Sequence, residues 1–214
     1  MAPRTLEDHL TEDQRKLFAS LTSPVKIQAF LDATPYSPED ANRCPLRVIQ
    51  EQLAHCLDGG LFAAAALRRL GFPPLLVDIF PDPGVDDDHV LAIFKRNGHY
   101  GAVAKSNYAG LRFREPIYRT LRELVLSYFN DFYNLNGVKS LRSFTRPLNL
   151  HTMERFNWEW DDKGAYAIEK RLKELRSTPL MTPKMALELS VIDEIGYKAG
   201  MMFTNLDGVY KPKV

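Results

Sequence analysis

Residues 55–72 read HCLDGGLFAAAALRRLGF, and this stretch decides how the rest of the sequence is interpreted. Its second half predicts a helix, because the four consecutive alanines at 63–66 combine high helix propensity with little side-chain bulk. Two arginines fall in the last turn, where cations suit the helix dipole, and Gly71 is the residue type expected just past a helix end. The stretch therefore predicts a closely packed helix with Cys56 at or near its start.

Three β-like segments follow this helix. PLLVDIF (74–80) and HVLAIFK (89–95) are apolar at both alternating sets of positions, which predicts strands that are covered on both faces. HYGAVAK (99–105) is the third segment, and Asn97-Gly98 before it is a strong signal for a two-residue hairpin turn. We therefore predict one helix followed by an antiparallel sheet.

The remaining segments are predicted to be mostly helical. We expect helices over residues 11–20, 23–32, 45–54, 116–134, 164–176 and 183–202, from capping residues and apolar spacing. Residues 135–160 are irregular and rich in aromatic side chains, which places a soft boundary near residue 150. The predicted fold class is α+β: N-terminal helices and a cysteine-bearing helix on a small antiparallel sheet (1–150), with a helical extension (151–214) packed on this core.

Composition limits the classes of protein to consider. The chain has 214 residues, 45% hydrophobic and 26% charged, which suits a soluble globular protein with a substantial core. Its 28 basic and 27 acidic residues give a net charge of +1, so no electrostatic argument favours a nucleic-acid or membrane partner. No apolar run reaches the roughly 18 residues of a membrane span. The N-terminal MAPRTLEDHLTEDQRK has no apolar stretch, so we expect a cytoplasmic location. Nothing in the sequence predicts an oligomeric state.

Cys56 is the candidate nucleophile. A thiolate at a helix start is stabilised by unpaired backbone N–H groups and the positive end of the helix dipole. The same N–H groups could stabilise an oxyanion on a substrate carbonyl. Gly59 and Gly60 indicate close approach of another segment or of a substrate. The alternative is that Cys56, like the other cysteine, Cys44, is a small buried hydrophobic residue.

His89 is the candidate base. It begins the second strand directly after an acidic loop, and its ordinary pKa near 6.5 allows it to take a thiol proton at neutral pH. A surface histidine paired with a neighbouring aspartate is the alternative. A third residue would orient the ring, and Asn107 or, next to it, Ser106 ends the adjacent strand at a suitable position.

In order and context these residues resemble the transglutaminase-like (papain-like) superfamily. The resemblance rests on HCLDGGLFAAAALRRLGFPPLLVDI, DDDHVLAIF and the segment that ends at Asn107, and it covers residues 23–110. Members of that superfamily usually carry an aromatic residue where this chain has Leu57. They usually carry aspartate as the third residue, where this chain has Asn107 or Ser106.

The resemblance implies cysteine-dependent acyl chemistry, by a hydrolase or an acyltransferase, through a Cys-His-Asn-type site. The reactions would be hydrolysis of an amide or thioester, deamidation or transamidation, on a small-molecule or peptide amide, with no cofactor and no metal. Gln50, six residues before Cys56, resembles an oxyanion donor of papain-like proteases, with Gln52 as second choice. Arg112, in a basic run after the third strand, is a candidate for substrate anchoring.

Two other functions compete with this one. The departures at Leu57 and Asn107 favour a catalytically inactive transglutaminase-like binding module. Three consecutive acids before His89, residues 86–88, allow a metal-dependent hydrolase as a weaker hypothesis.

Overall fold

The fold is α+β, as predicted, with a cysteine-bearing helix on an antiparallel sheet. The structure is a computed structural model that describes residues 5–211, and the first four residues of MAPRTLEDHLTEDQRK lie outside this range. The α-helices of the described part are α1 (Glu12–Ser20), α2 (Pro24–Ala33), α3 (Pro45–Glu51), α4 (Cys56–Arg69), α5 (Leu121–Leu126), α6 (Asp162–Glu174), α7 (Pro183–Leu187) and α8 (Glu194–Met201). Short 3-10 segments lie at Leu6–His9, Leu150–Phe156 and Leu206–Gly208.

The sheet is antiparallel throughout its described pairings. Its strands are β1 (Leu75–Pro81), β2 (His89–Arg96), β3 (His99–Val103), β4 (Arg114–Tyr118), β5 (Leu141–Thr145), β6 (Leu148–Asn149) and β7 (Ser177–Pro179). They are arranged in the order β4-β3-β2-β1-β5-β7, and β6 also pairs with β1. The two central strands, β1 and β2, are in register with Asp78 opposite Val90 and Ile79 opposite His89. The carboxyl end of β1 therefore lies beside the start of β2.

Two apolar layers cover the central strands. On one face α4 packs against β2, and Val90, Ala92 and Phe94 belong to the same buried cluster as the alanines of α4. On the other face Leu91 and Ile93 pack in a second cluster that includes residues of α5. This explains why β2 is apolar at every position from Val90 to Phe94: alternate side chains point to opposite faces, and both faces are buried.

The two glycines after Cys56 allow α4 to approach the sheet. A Cβ atom added at Gly59 would lie 2.1 Å from Cβ of Lys105, and one at Gly60 would lie 2.8 Å from a methyl group of Val90. Neither distance is possible between non-bonded carbon atoms. The close approach that the sequence indicated is thus made by the sheet and by Lys105, two residues after the end of β3.

Local signals predicted most element starts correctly. The Thr11 side chain accepts a hydrogen bond from the Gln14 N–H and caps α1, and Ser23 caps α2 with Pro24 as the first helical residue. Asn97 and Gly98 both have positive φ, 52° and 79°, as the predicted hairpin turn between β2 and β3 requires.

The single helix predicted over 116–134 is wrong. Strand β4 takes residues 114–118 and pairs with β3 at the edge of the sheet, where Pro116 is tolerated. A new helix, α5, starts only after Thr120, whose side chain accepts a hydrogen bond from the Glu123 N–H. The apolar spacing was helical, but pairing with a neighbouring strand outweighed it.

The C-terminal part also differs from the prediction. The helix expected over 183–202 is two short helices, and Asp193 caps the second. Strand β7 adds to the sheet beside β5, so residues beyond 150 are not only helical. Helix α6 packs Ile168 and Leu172 into the α4 cluster, together with the fully buried Trp158. Within residues 5–211, no helix combines the length and apolarity that a bilayer crossing requires.

Candidate functional site

Cys56 is the first residue of α4, and the start of this helix is held by several side chains. His55 is the N-cap, and its Nδ1 accepts a hydrogen bond from the Leu57 N–H at 3.2 Å. The buried carboxylate of Asp58 accepts from the His55 N–H at 3.2 Å and from the Arg43 N–H at 2.7 Å. One of the helix-end N–H groups that the sequence offered for an oxyanion is therefore already used by a capping histidine.

Cys56 lines two cavities. The larger, of about 270 Å³, lies between the start of α4, the end of β1 and α6, and we call it the acidic cleft. The smaller, of about 50 Å³, is called the small cavity, and it lies at the start of β2. Cys56 and His89 both line the small cavity, together with Ser106 and Asn107. The structure thus brings four of the residues singled out in the sequence to one place.

His89 reaches the small cavity from the far face of the sheet. It has the same strand parity as Leu91 and Ile93, which pack away from α4. Its ring is buried, and Nε2 lies 2.8 Å from the carbonyl oxygen of Leu111. Because a carbonyl oxygen only accepts, Nε2 carries the proton and Nδ1 holds the lone pair in the neutral ring. Burial lowers the pKa of His89 to about 4, so the ring is neutral at physiological pH.

The ring-orienting contact differs from the one predicted. The side chain of Asn107 donates to the Asn205 carbonyl and accepts from the Asn205 N–H, both at 2.8 Å. Both ends of the amide are thereby used to hold the C-terminal segment. Ser106 accepts a hydrogen bond from the Tyr108 N–H at 2.9 Å. The His89 ring is held by the Leu111 carbonyl and not by Asn107 or Ser106. A catalytic role for Asn107 stays a prediction.

The other predicted site residues lie elsewhere. Gln50 is exposed on α3, and the Gln52 side chain donates to the Ile49 carbonyl at 2.8 Å. Neither glutamine lines the acidic cleft or the small cavity. Arg112 forms an ion pair with Asp32 at 3.1 Å and also lies outside both cavities. The structure does not bring these three side chains to Cys56.

The environment of the sulfur disfavours a thiolate. Burial, followed by the negative charges of Asp88, Asp87 and Asp78, raises the pKa of Cys56 well above its ordinary value. Burial likewise raises the pKa of Cys44 to about 12. A neutral thiol therefore faces the small cavity, in contrast to the activated thiolate that a helix start alone would favour.

Asp78 is a feature of the site that the sequence reasoning missed. It is the one acid in the apolar strand β1, is only 1% exposed, and lines the acidic cleft. Its Oδ1 has no hydrogen-bond partner. Its carboxyl lies against that of Asp88, and burial together with the negative charge of Asp88 raises the pKa of Asp78. The sequence did contain a signal for Asp78, because a single acid stands among the apolar residues of a strand. Burying a carboxyl costs free energy, so such a residue is a candidate for a functional role.

The acidic loop before β2 is more than a solvated turn. Asp88 is half-buried beside Asp78, and burial raises its pKa to about 6. Asp86 accepts a hydrogen bond from the Ser140 hydroxyl at 2.5 Å, which attaches the loop to the segment before β5. Within residues 5–211, no three His, Cys, Asp or Glu side chains are grouped so that they could hold a metal ion.

Comparisons with known proteins gave only distant similarity. No family model and no curated protein matches this sequence. Two solved structures of Legionella pneumophila LapG, one of them EGTA-treated, match with 17% sequence identity and a TM-score of 0.35. Each match covers 47% of this chain and 66% of the LapG chain, so this chain spans just under two thirds of that protein's length. At this TM-score the likeness carries no functional argument, and the interpretation of the site depends on its own geometry.

Proposed function

We propose that this protein is a cysteine-dependent enzyme of acyl chemistry, with Cys56 as nucleophile and His89 as general base. Its substrates would be amides or thioesters, resolved by hydrolysis, deamidation or transamidation, as expected of a transglutaminase-like protein. The observation that carries the proposal is that a cysteine at a helix start and a buried histidine line the same small cavity.

The charge states of the Cys56 thiol and the His89 ring determine how the proton would be transferred. Both partners are neutral at rest, since burial raises the pKa of Cys56 and lowers that of His89. The thiol proton would pass to Nδ1 of His89 as the sulfur attacks the substrate carbonyl, without a preformed ion pair. The Leu111 carbonyl accepts from Nε2, so it holds the ring and stabilises the imidazolium that forms. His89 then returns the proton to the leaving group, and water or an amine releases the acyl group from Cys56.

Stabilisation of the oxyanion has fewer candidates than the sequence suggested. Gln50 and Gln52 lie outside both cavities, and the Leu57 N–H is bonded to His55. The backbone N–H of Cys56 lies against the Tyr36 hydroxyl, and Tyr36 lines both cavities. That N–H is already used as a donor to Tyr36, so we assign the Tyr36 hydroxyl, which can donate its own proton, as the group that stabilises a developing oxyanion.

A binding module without catalysis is the second candidate. It is favoured by the raised pKa of Cys56 and by the position of His89 on the sheet face opposite α4. In that case the acidic cleft would hold a ligand and the thiol would remain unreacted.

Acylation of the protein by an activated ester separates the two candidates. We expect p-nitrophenyl acetate to add one acetyl group, located on Cys56 by peptide mass spectrometry. His89→Ala should slow acylation about 100-fold, the low end of a general-base contribution. Cys44→Ser is the matched control, because Cys44 is buried and lies outside both cavities; it should acylate at the wild-type rate. Acetylation that is absent from Cys56, or that is unchanged in His89→Ala, would show that the pair does not act as an enzyme.

A further inference from the structure

The acidic cleft carries an excess of negative charge directly beside the proposed nucleophile. Of its carboxylates, Glu39 forms an ion pair with Arg43, which also pairs with Glu51 and Asp58, and Glu169 forms one with Lys173. Lys173 is also the one lysine or arginine among the described residues that line the cleft. The remaining acids of the lining are Asp40, Asp78, Asp87, Asp88 and Asp207. A cleft of this composition attracts cations and repels anions.

Asp78 distinguishes this cleft from an ordinary acidic surface. Its side chain is buried at the floor of the cleft, and its Oδ1 accepts no hydrogen bond from any described residue. Asp78 and Asp88 contact each other, and the charge of Lys173 acts on both, but within residues 5–211 the ion pair of Lys173 is with Glu169. A buried acceptor without a donor is costly for a folded protein, and it is the arrangement expected where a ligand supplies the missing donor.

We propose that the acidic cleft binds a positively charged group of the substrate, an alkylammonium or a guanidinium, between Asp78 and Asp88. Both groups present N–H donors and positive charge to paired carboxylates. Leu57, Val90 and Leu172 supply apolar wall for the aliphatic stem that carries such a group. The proposal rests on the function proposed above, because it names the substrate class of the Cys56 site.

The bound cation is a recognition group and does not react. An ammonium held between two carboxylates keeps its proton and so has no lone pair with which to attack an acyl group. Its charge also offsets the negative charge of Asp88, Asp87 and Asp78, three of the four aspartates that raise the pKa of Cys56. A cationic substrate would thereby favour loss of the thiol proton when it binds, whereas a neutral or anionic substrate would not.

Charged thiol reagents test this proposal without knowledge of the substrate. Aminoethyl and sulfonatoethyl methanethiosulfonate share one reaction: the Cys56 sulfur displaces methanesulfinate, a disulfide forms, and the thiol proton passes to the buffer. Each rate is divided by the rate of the same reagent with a small free thiol. We expect the cationic reagent to modify Cys56 at least about tenfold faster than the anionic one. In a partly screened site, attraction or repulsion by two nearby carboxylates changes a rate by about this factor.

Two substitutions locate the effect. Asp78→Asn and Asp88→Asn each retain the size of the side chain, and each should reduce the preference for the cationic reagent severalfold. Asp13→Asn makes the same charge change on the exposed face of α1 and should leave the preference unchanged. Asp88 is half-buried in the loop directly before β2, so its variant tests the proposal even if Asp78→Asn does not fold.

The outcomes keep this proposal separate from the proposed function. Equal corrected rates for the two reagents would overturn the cation site, and the His89-dependent acylation of Cys56 could still be observed. A cation preference that persists in both aspartate variants would also overturn it. So would thermal stabilisation by calcium or magnesium chloride that disappears in Asp78→Asn, because the carboxylates would then be holding a metal ion.

Discussion

His89 Nε2 lies 2.8 Å from the carbonyl oxygen of Leu111, and this contact fixes which ring nitrogen can accept a proton. In Cys-His sites a side chain usually orients the imidazole from its other nitrogen. Here a backbone acceptor does so, and the amide of Asn107 holds Asn205 instead. The contact survives any substitution at position 111 that leaves the backbone in place.

The first prediction concerns titration of His89. Its pKa is about 4 in the folded protein and 6.5 in an unfolded chain. The unfolded chain therefore binds more protons between these values, so the contribution of His89 to stability is complete above pH 6.5 and is lost as the pH falls through about 4. The full loss is roughly 3 kcal/mol.

His89→Gln tests the predicted loss of stability at low pH, because glutamine can still donate to the Leu111 carbonyl but does not titrate. Urea unfolding at a series of pH values should show a shallower loss of stability in the variant than in the wild type. His55 also has a pKa lowered to about 4 by burial, so only the difference between the two proteins reports on His89. An NMR titration that places the His89 midpoint near its ordinary value would contradict the prediction.

The second prediction concerns the reactivity of the thiol. Because burial and nearby carboxylates raise the pKa of Cys56, iodoacetamide should label it more slowly near neutral pH than it labels a small free thiol. The rate should keep rising as the pH increases. Asp88→Asn removes the charge with the largest influence after burial and should raise the rate roughly three- to tenfold at a given pH. Fast labelling near pH 6, as an ion pair with His89 would give, is the contrary result.

The third prediction separates two roles of Asn107. If its amide only anchors the C-terminal segment, Asn107→Ala should lower the free energy of unfolding by about 2 kcal/mol, for two lost hydrogen bonds. Limited proteolysis should then cut within residues 204–210, while acylation of Cys56 in the intact chain changes little. Ser106→Ala loses one bond and serves as the milder comparison. A large fall in the acylation rate with unchanged stability would instead show that Asn107 takes part in catalysis.

The fourth prediction concerns the approach of α4 to the sheet. Gly59→Ala places a Cβ atom 2.1 Å from that of Lys105, so helix and sheet must separate, and we expect a loss of about 3 kcal/mol or more. Gly84→Ala has open space around its Cβ but a φ of 78°, and it should cost only about 1 kcal/mol. Urea denaturation of both variants measures the difference. Equal small losses would mean that the helix can shift without cost.

Much of the local structure could be predicted because its causes are local. Thr11, Ser23 and the Asn97-Gly98 turn act on their immediate neighbours, and the structure confirms each. The helix predicted over 116–134 failed because residues 114–118 pair with β3, a partner that apolar spacing does not identify. Strands β5, β6 and β7 were missed for a related reason: each is short and gains its stability from the strand beside it.

The candidate site also contains residues that the sequence could predict and residues that it could not. Cys56 and His89 were chosen by residue type and context, and both line the small cavity. The role of Leu111 could not be predicted, because every residue has a backbone carbonyl. Asp78 could be noticed in β1, but its partner Asp88 is ten positions away and reaches it only through the register of β1 with β2.

By itself the sequence determined the helix that carries Cys56, the hairpin that follows and the α+β class, because propensity, capping and apolar periodicity act over a few residues. Only the tertiary structure decided which face of the sheet each side chain occupies and which groups are buried together. Those contacts raise the pKa of Cys56, lower that of His89 and leave Oδ1 of Asp78 without a hydrogen-bond partner. Electrostatic free energy depends on distance and burial in space, and neither can be read from positions along a chain.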